Sequence, residues 1–281
     1  MSCVTLSRIV IIQSLPEDED GSQTGRQLRD AIEPTANHNH KISVELIDAA
    51  SSEKFWAALS KVQTSAESYG NRPVVHIECH GLSDKTGISL GDRTPVSWGE
   101  LKIPLIKLNH ATRCNLLVTL AACYGAGLFE TLDVTGRAPC WGLIGPSSIV
   151  NPQDLVTYYS RFFIELLGSG DVANAVSKCL NSGEKDSKYF LFTAEKMFDM
   201  VFQKYRATQS QNAEMIKRAE RFSQVFKNHG MPYSNDSECT NLLYEMEKDI
   251  LERFFKKYFF ADCFPENWER FKDVYDAIDF R

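Results

Sequence analysis

Residues 115–123, NLLVTLAAC, form an apolar run that ends on a cysteine. A second run, residues 73–80 (PVVHIECH), has the same character and ends on a histidine that is followed by Gly81. Short runs that are apolar at consecutive positions are typical of parallel strands buried on both faces. Because the carboxyl ends of parallel strands meet at one edge of a sheet, we expect His80 and Cys123 to lie close together.

The same pattern extends outward along the chain. It predicts further strands at 6–15, 42–49 and 139–144, with a last one at 188–192. It predicts helices at 22–33, 51–68, 98–109, 154–167 and 171–180. Pro34 is expected to close the first helix and Pro104 to interrupt the third, and Gly91-Asp92 indicates a small hairpin within 87–98. Strands that alternate with helices predict an α/β domain with a mostly parallel sheet flanked by helices.

Beyond residue 195 the periodicity is helical throughout, at 197–207, 211–228, 239–260 and 267–280. We therefore predict two domains, an α/β domain over 1–190 and an α-helical C-terminal extension over 191–281. The extension is rich in aromatic residues: Phe254, Phe255, Tyr258, Phe259, Phe260, Trp268, Phe271 and Tyr275. One interpretation is that these helices pack on the core or on each other. The other is that they form a regulatory surface for a protein partner.

Composition excludes several classes of partner. The chain has 281 residues, with 31 Lys and Arg against 37 Asp and Glu, which gives a net charge of −6. This acidic balance argues against nucleic acid or an anionic membrane, since both need a basic surface. The longest uncharged windows, 114–129 and 138–153, are 16 residues long and contain Gly, Asn or Pro, too short and polar to span a bilayer. With Arg8 inside the first apolar stretch we predict no signal peptide, and a cytoplasmic protein.

Neither a metal nor a cofactor is predicted. The eight cysteines include no Cys-x-x-Cys, so they indicate reduced thiols rather than a disulfide framework. The nearest metal-like spacing is His76-x-x-Cys79-His80, but strand alternation places Cys79 on the face opposite to both histidines. Gly125-Ala126-Gly127 lacks the third small residue of a dinucleotide loop, because Glu130 stands there. The chain also has no G-x-S-x-G motif.

A histidine and a cysteine at neighbouring strand ends are what a thiol nucleophile and its base require. A free cysteine is only a few per cent thiolate at neutral pH, and a nearby imidazole can take its proton during attack. Gly81 lets a backbone N–H approach a substrate carbonyl, and together with the Cys123 N–H it is a candidate oxyanion hole.

The motifs around these residues resemble a known family. Ala122-Cys123-Tyr124-Gly125 matches the A-C-x-G part of the caspase signature, and His80 lies 43 residues before Cys123. On "VVHIECHG", "NLLVTLAACYGAG" and the stretch 142–179, residues 1 to about 190 resemble the caspase-like (clan CD) cysteine peptidases. Within that clan they look most like the bacterial CHAT-domain peptidases.

The resemblance implies a caspase-like fold and a cysteine endopeptidase that cleaves specific protein substrates through a thioester intermediate. His80 matches the catalytic histidine, Gly81 the oxyanion glycine and Cys123 the nucleophile. It also implies a role in bacterial cell death or antiphage (antiviral) defence, with a gasdermin-like or other effector protein as the substrate. A catalytically silent caspase-like scaffold that serves as a protein-interaction module is the alternative.

Two features bear on specificity. Ala121 stands where caspases carry Gln and where relatives that cleave after Arg or Lys carry Asp, so neither preference is supported. The acidic run Glu17 to Asp20 is either part of a specificity pocket or a solvated loop.

Overall fold

The computed structural model describes residues 6–18, 23–40, 42–181, 188–209, 212–230 and 236–278. They fall into two compact units. The first contains the described residues within 1–131 and 138–194, and the second those within 132–137 and 195–281. The two predicted domains, 1–190 and 191–281, stay a prediction, and the sequence carried no sign that 132–137 belongs with the helical unit.

The first unit is built on a six-stranded sheet in the order β2-β1-β3-β7-β8-β9. Its strands are β1 (Arg8–Gln13), β2 (Ser43–Asp48), β3 (Pro73–Glu78), β7 (Leu117–Ala121), β8 (Gly142–Pro146) and β9 (Tyr189–Thr193). Five strands run parallel, and β9 is antiparallel to β8. The three central strands β3, β7 and β8 are buried along their whole length, as expected for a sheet covered on both faces.

A small antiparallel sheet follows β3. It consists of β4 (His80–Gly81), β5 (Gly87–Ser89) and β6 (Pro95–Ser97), and the pairing of β5 with β6 confirms the hairpin predicted around Gly91-Asp92. Its first strand begins one residue after β3 ends, so it adjoins the carboxyl edge of the large sheet.

Helices cover both faces of the large sheet. They are α1 (Thr24–Thr35), α2 (Ser52–Tyr69), α3 (Trp98–Ala111) and α4 (Pro152–Ser169). The chain leaves β1 for β2 in one direction and returns over β1 to β3 in the other, so right-handed crossovers place α1 and α2 on opposite faces. In agreement, α1 packs on α4 and α2 packs on α3. The α/β class with a mostly parallel sheet flanked by helices is thereby confirmed.

Shorter elements complete the first unit. A 3₁₀ helix spans Gly125–Thr131, α5 spans Val172–Ala175, and π-helical turns span Ala36–His40 and Val176–Leu180.

The two expectations about prolines were wrong. Pro34 lies within α1, which continues to Thr35, and Pro104 lies within α3, which runs on to Ala111 without a break. A proline removes one helical hydrogen bond, but the surrounding packing can outweigh that loss. In α3 the buried residues Leu101, Leu105 and Leu108 recur at helical spacing and hold both halves of the helix against the core.

The second unit is helical, with α6 (Ala194–Gln209), α7 (Asn212–Asn228), α8 (Asp236–Tyr258) and α9 (Glu266–Asp276). Its aromatic rings pack on one another, with centroids 5.5 Å apart for Phe198 and Phe255 and 4.4 Å apart for Phe259 and Phe271. Arg137 donates two hydrogen bonds to Asp262, at 2.8 and 2.6 Å. This ion pair ties the segment 132–137 to the helices and lowers the pKa of the Asp262 carboxyl.

Among the helices of the described residues, none is both long and apolar enough to cross a bilayer.

We expect Asn109→Ala to lower the free energy of unfolding by about 2 kcal/mol, because it removes a fully buried side chain that bonds two segments. Asn109 Oδ1 accepts from the Leu116 N–H at 3.2 Å, and Nδ2 donates to the Ala138 carbonyl at 2.9 Å, which fixes the chain just before β7 and β8. Urea unfolding measures the effect. Gln63→Ala, on the surface of α2, is the control and should change the free energy by less than about 0.5 kcal/mol. Equal effects of both substitutions would contradict this account.

Candidate active site

His80 and Cys123 emerge from neighbouring strands at the same level. β3 and β7 pair in parallel with Glu78 opposite Ala121, and His80 and Cys123 each lie two residues further along. The sequence-based expectation that the two strand ends share one edge of the sheet therefore agrees with the register. Their catalytic roles stay predictions.

The closest approach at this edge joins Gly81 to Cys123. A Cβ atom added to Gly81 would lie 2.0 Å from the Cys123 carbonyl oxygen and 3.0 Å from the Cys123 Cβ. Only glycine permits this approach, because every other residue would drive its Cβ into the backbone of residue 123. The loop that carries His80 is thus in van der Waals contact with the residue that carries the thiol.

A tight turn follows Cys123 and leaves its side chain at the surface. Tyr124 adopts a left-handed conformation with a φ of 61°. Its N–H donates to the Ser148 carbonyl at 3.3 Å, and the Gly125 N–H donates to the Ala122 carbonyl at 3.0 Å. Cys123 is half-buried, with Sγ 4.0 Å from the Val150 carbonyl oxygen. The turn therefore reverses the chain directly after the residue that carries this partly exposed thiol.

The other cysteines near this edge have a different environment. Cys79 is buried on the opposite face of β3, and burial raises the pKa of its thiol far above the ordinary value, with Glu78 and Cys123 adding to the rise. Burial likewise raises the pKa of Cys140, next to Cys114. Because the thiolate is the reactive form, these buried thiols are inert. Among the described cysteines of the first unit, the half-buried ones are Cys123 and Cys179, and burial raises the pKa of Cys179.

A buried polar network lies within β3 and β7, just before the residues His80 and Cys123. His76 Nδ1 is 2.7 Å from Thr119 Oγ1, which joins β3 to β7, and His76 Nε2 is 3.1 Å from Glu78 Oε1. Thr24 Oγ1 donates to Glu78 Oε2 at 2.6 Å, which adds α1 to the network. The histidine ring also packs edge-on against Tyr159, at 4.7 Å. The network fixes the two strands that carry His80 and Cys123 against each other.

The sequence-based expectations did not include Glu78, Thr119 or Thr24. A signal was present for Glu78, because residues 76, 78 and 80 share one face of a strand that alternates with period two. Thr119 and Thr24 come from other elements and carry no comparable signal.

The metal-like spacing around His76 has a structural explanation. The His76 ring is occupied by Thr119 and Glu78, and Cys79 points away from it. In the described ranges no three His, Cys, Asp or Glu side chains are grouped so that they could hold a metal ion.

Two cavities are lined by neighbours of Cys123, although Cys123 itself lines neither. One, of about 460 Å³, is lined by Val150, whose carbonyl faces the thiol, and by Ile149, Asn151, Pro152, Asp154, Tyr158, Leu180, Lys188 and Tyr189. The other, of about 340 Å³, begins at Tyr124 and is lined by Lys85, Ala126, Gly127, Phe129, Glu130, Ser147, Phe190 and Phe192.

The structure describes Ala121 and part of the acidic run 17–20, the two sequence features that bear on specificity. Ala121 is buried and lines neither cavity. Of the acidic run, Asp18 pairs with Arg93 at 2.9 Å with both side chains exposed, and residues 19 and 20 lie outside the described residues.

Comparison with known proteins adds no relative. A scan against protein-family models finds no match, and a search of the curated proteins finds none. We therefore infer the function from the residues and geometry of this chain.

We expect Gly81→Ala to destabilise the first unit by about 1–3 kcal/mol and to slow alkylation of Cys123, because the new methyl group overlaps the Cys123 carbonyl. Thermal unfolding and iodoacetamide labelling measure the two effects. Gly168→Ala is the matched control, since its added methyl group meets nothing within 4 Å near the end of α4. That control should be neutral or stabilising by up to about 1 kcal/mol. A Gly81→Ala protein as stable and as reactive as wild type would refute the close approach.

Thr119→Val is expected to cost about 1–3 kcal/mol of unfolding free energy, because it keeps the shape of the side chain but leaves a buried histidine nitrogen without its partner. Denaturant titration measures it. Thr157→Val removes an exposed hydroxyl that bonds within α4, at 3.0 Å from the Gln153 carbonyl, and should change the stability little. If the two variants had the same free energy of unfolding, the hydrogen bond from Thr119 to His76 would make no contribution to stability.

Proposed function

We propose that this chain is a cysteine endopeptidase of the caspase-like type, most similar to the bacterial CHAT-domain peptidases. The observation that carries the proposal is the contact between the His80-Gly81 loop and Cys123 at the carboxyl edge of a parallel sheet. A histidine, a partly exposed thiol and a glycine N–H are brought to one place by a fold that otherwise buries its strands.

In the proposed reaction His80 accepts the proton of the Cys123 thiol, and the thiolate attacks the scissile carbonyl carbon. The N–H groups of Gly81 and Cys123 donate hydrogen bonds to the oxyanion that forms. When the tetrahedral intermediate collapses, the C–N bond breaks and His80 gives its proton to the leaving amine. Water, deprotonated by His80, then attacks the thioester, which releases the carboxylic acid product and restores the thiol.

Three further observations support a peptide substrate. The sheet with helices on both faces is the architecture that the resemblance implies. One cavity is lined by Val150, whose carbonyl faces the thiol, and the other by Tyr124, the residue after Cys123, so both are available to residues of a substrate near the scissile bond. Ala121 is buried and lines neither cavity, so its side chain offers no contact to an Asp or a basic residue of a substrate.

The proposed biological setting is bacterial cell death or antiphage defence, in which the enzyme cleaves one effector protein, such as a gasdermin-like protein. The aromatic helices of residues 195–278 are proposed to serve in part as a site for a regulatory protein. Proteomics of cells that express the chain and its Cys123→Ala variant tests the first statement. Few cleaved proteins would support it, and broad degradation would contradict it.

The decisive test is the rate at which iodoacetamide labels each cysteine of the folded protein at pH 7. We expect Cys123 to react fastest and to slow by about tenfold or more in His80→Ala, because the mutant lacks the base. Cys263, exposed in the second unit, is the internal control and should not respond to the mutation. Cys79 and Cys140 should remain unlabelled, since burial raises the pKa of both thiols.

If Cys123 reacts no faster than Cys263 and does not respond to His80→Ala, the peptidase proposal fails. The alternative of a catalytically silent scaffold that binds other proteins would then be favoured.

A further inference from the structure

The smaller cavity beside Cys123, which we name the aromatic pocket, differs in chemistry from the larger one. It is formed by the rings of Tyr124, Phe129, Phe190 and Phe192, with Lys85 and Glu130 at its border. Its walls come from the loop that follows β4, from the segment that follows Cys123, from the residue just after β8 and from β9. Two of these four segments directly follow the proposed catalytic groups.

The phenylalanine rings present an organised apolar surface. Phe129 and Phe192 stack with centroids 4.7 Å apart and an angle of 13°, and Phe190 and Phe192 are 5.9 Å apart at 14°. Phe190 leaves 41% of its surface exposed. Parallel rings that remain partly exposed to water form an apolar surface. Such a surface favours contact with an apolar group that is flat or flexible.

The wall nearest to Cys123 is held in a fixed position. The Lys85 ammonium lies 4.7 Å from the centre of the Tyr124 ring. The Lys85 carbonyl accepts a hydrogen bond from Trp98 Nε1 at 2.8 Å, and its N–H donates to the Leu82 carbonyl at 3.0 Å. Lys85 and Tyr124 both have left-handed backbones, with φ values of 66° and 61°. Such conformations persist only where the surroundings fix them, so the pocket is formed before a ligand arrives.

The charged residues at the border of the pocket do not favour an ionic ligand. Lys85 and Glu130 carry opposite charges, and the remaining lining residues are uncharged. The larger cavity, by contrast, mixes Asp154, Lys188 and the polar groups of Asn151 and Tyr158 with apolar residues, so its lining does not single out one class of side chain.

We propose that the aromatic pocket binds a large apolar side chain of the substrate, of the class Phe, Tyr, Leu or Met, at a residue adjoining the scissile bond. The inference rests on the proposed function. Its position follows from Tyr124, which directly succeeds the nucleophile, so a side chain in the pocket belongs to a residue next to the bond that is attacked. The volume of about 340 Å³ lies at the small end of ligand pockets and suits one such side chain.

Two sets of thiol-reactive peptides test this without requiring turnover. Acetyl-Ala-Xaa chloromethyl ketones place the side chain Xaa on the acyl side of the attacked carbon, and chloroacetyl-Xaa amides place it on the leaving-group side. In each set Xaa is Phe, Leu, Ala, Asp or Lys. The Cys123 sulfur forms a bond to the methylene carbon and chloride leaves, and peptide mass spectrometry gives the labelling rate of each cysteine.

We expect the Phe and Leu reagents of one set to label Cys123 about tenfold faster than the Ala reagent, with Asp and Lys no faster than Ala. Cys263 should show no such preference. In Phe192→Ala and in Phe190→Ala, whose exposed ring is less important for folding, the preference should fall to about twofold or less. Tyr69→Ala, which removes an exposed ring at the far end of the sheet, should retain it. Melting temperatures verify that each variant is folded.

The possible results separate the two proposals. Equal rates for all side chains in both sets, a preference for Asp or Lys, or a Phe preference unchanged in both folded pocket variants would overturn the pocket while leaving the peptidase in place. A Cys123 that reacts with iodoacetamide no faster than Cys263 in wild type would overturn both, since the pocket has no role without the nucleophile.

Discussion

The candidate site depends on one steric constraint, the approach of Gly81 to the backbone of Cys123. Adjacent parallel strands normally hold their chains about 4.8 Å apart, with room for a Cβ on each residue. Beyond the ends of β3 and β7 the chains come closer than this, since a Cβ on residue 81 would lie 2.0 Å from the Cys123 oxygen. Because the strands are in register, this contact brings a histidine, a thiol and the Gly81 backbone to one level of the molecule.

Hydrogen bonds on both sides of this contact hold it in place. Below it, the His76–Thr119 hydrogen bond joins the two strands inside the core, where an unsatisfied polar group would be costly. Above it, the Tyr124 N–H is bound to the carbonyl of Ser148 in the loop that follows β8. Exposure rises from the fully buried His76 within β3 to the exposed His80, two residues beyond the end of β3. The two strands are therefore buried along their length and are followed by His80 and Cys123 where exposure increases.

How much of the fold and of the candidate site could be predicted depends on how far apart in the sequence the interacting residues are. Apolar runs and period-two alternation are local signals, and they were sufficient for the sheet, its neighbouring strands and the edge shared by His80 and Cys123. The run of α3 through Pro104 and the membership of residues 132–137 in the helical unit depend on partners distant in sequence. The pairing of Arg137 with Asp262 illustrates this, because no local pattern relates positions 125 residues apart.

The same distinction explains why the motifs around the nucleophile indicate a chemistry but not a specificity. Ala121 is buried opposite Glu78 and lines neither cavity, so its side chain does not contribute to either recess. Part of the cavity lining comes instead from outside the motifs, from Lys85, from Phe129 and from β9. Chemistry requires a few residues at fixed spacing, whereas recognition requires surfaces assembled from scattered loops. A chain can therefore retain the first while its substrate preference is set by side chains that no short motif contains.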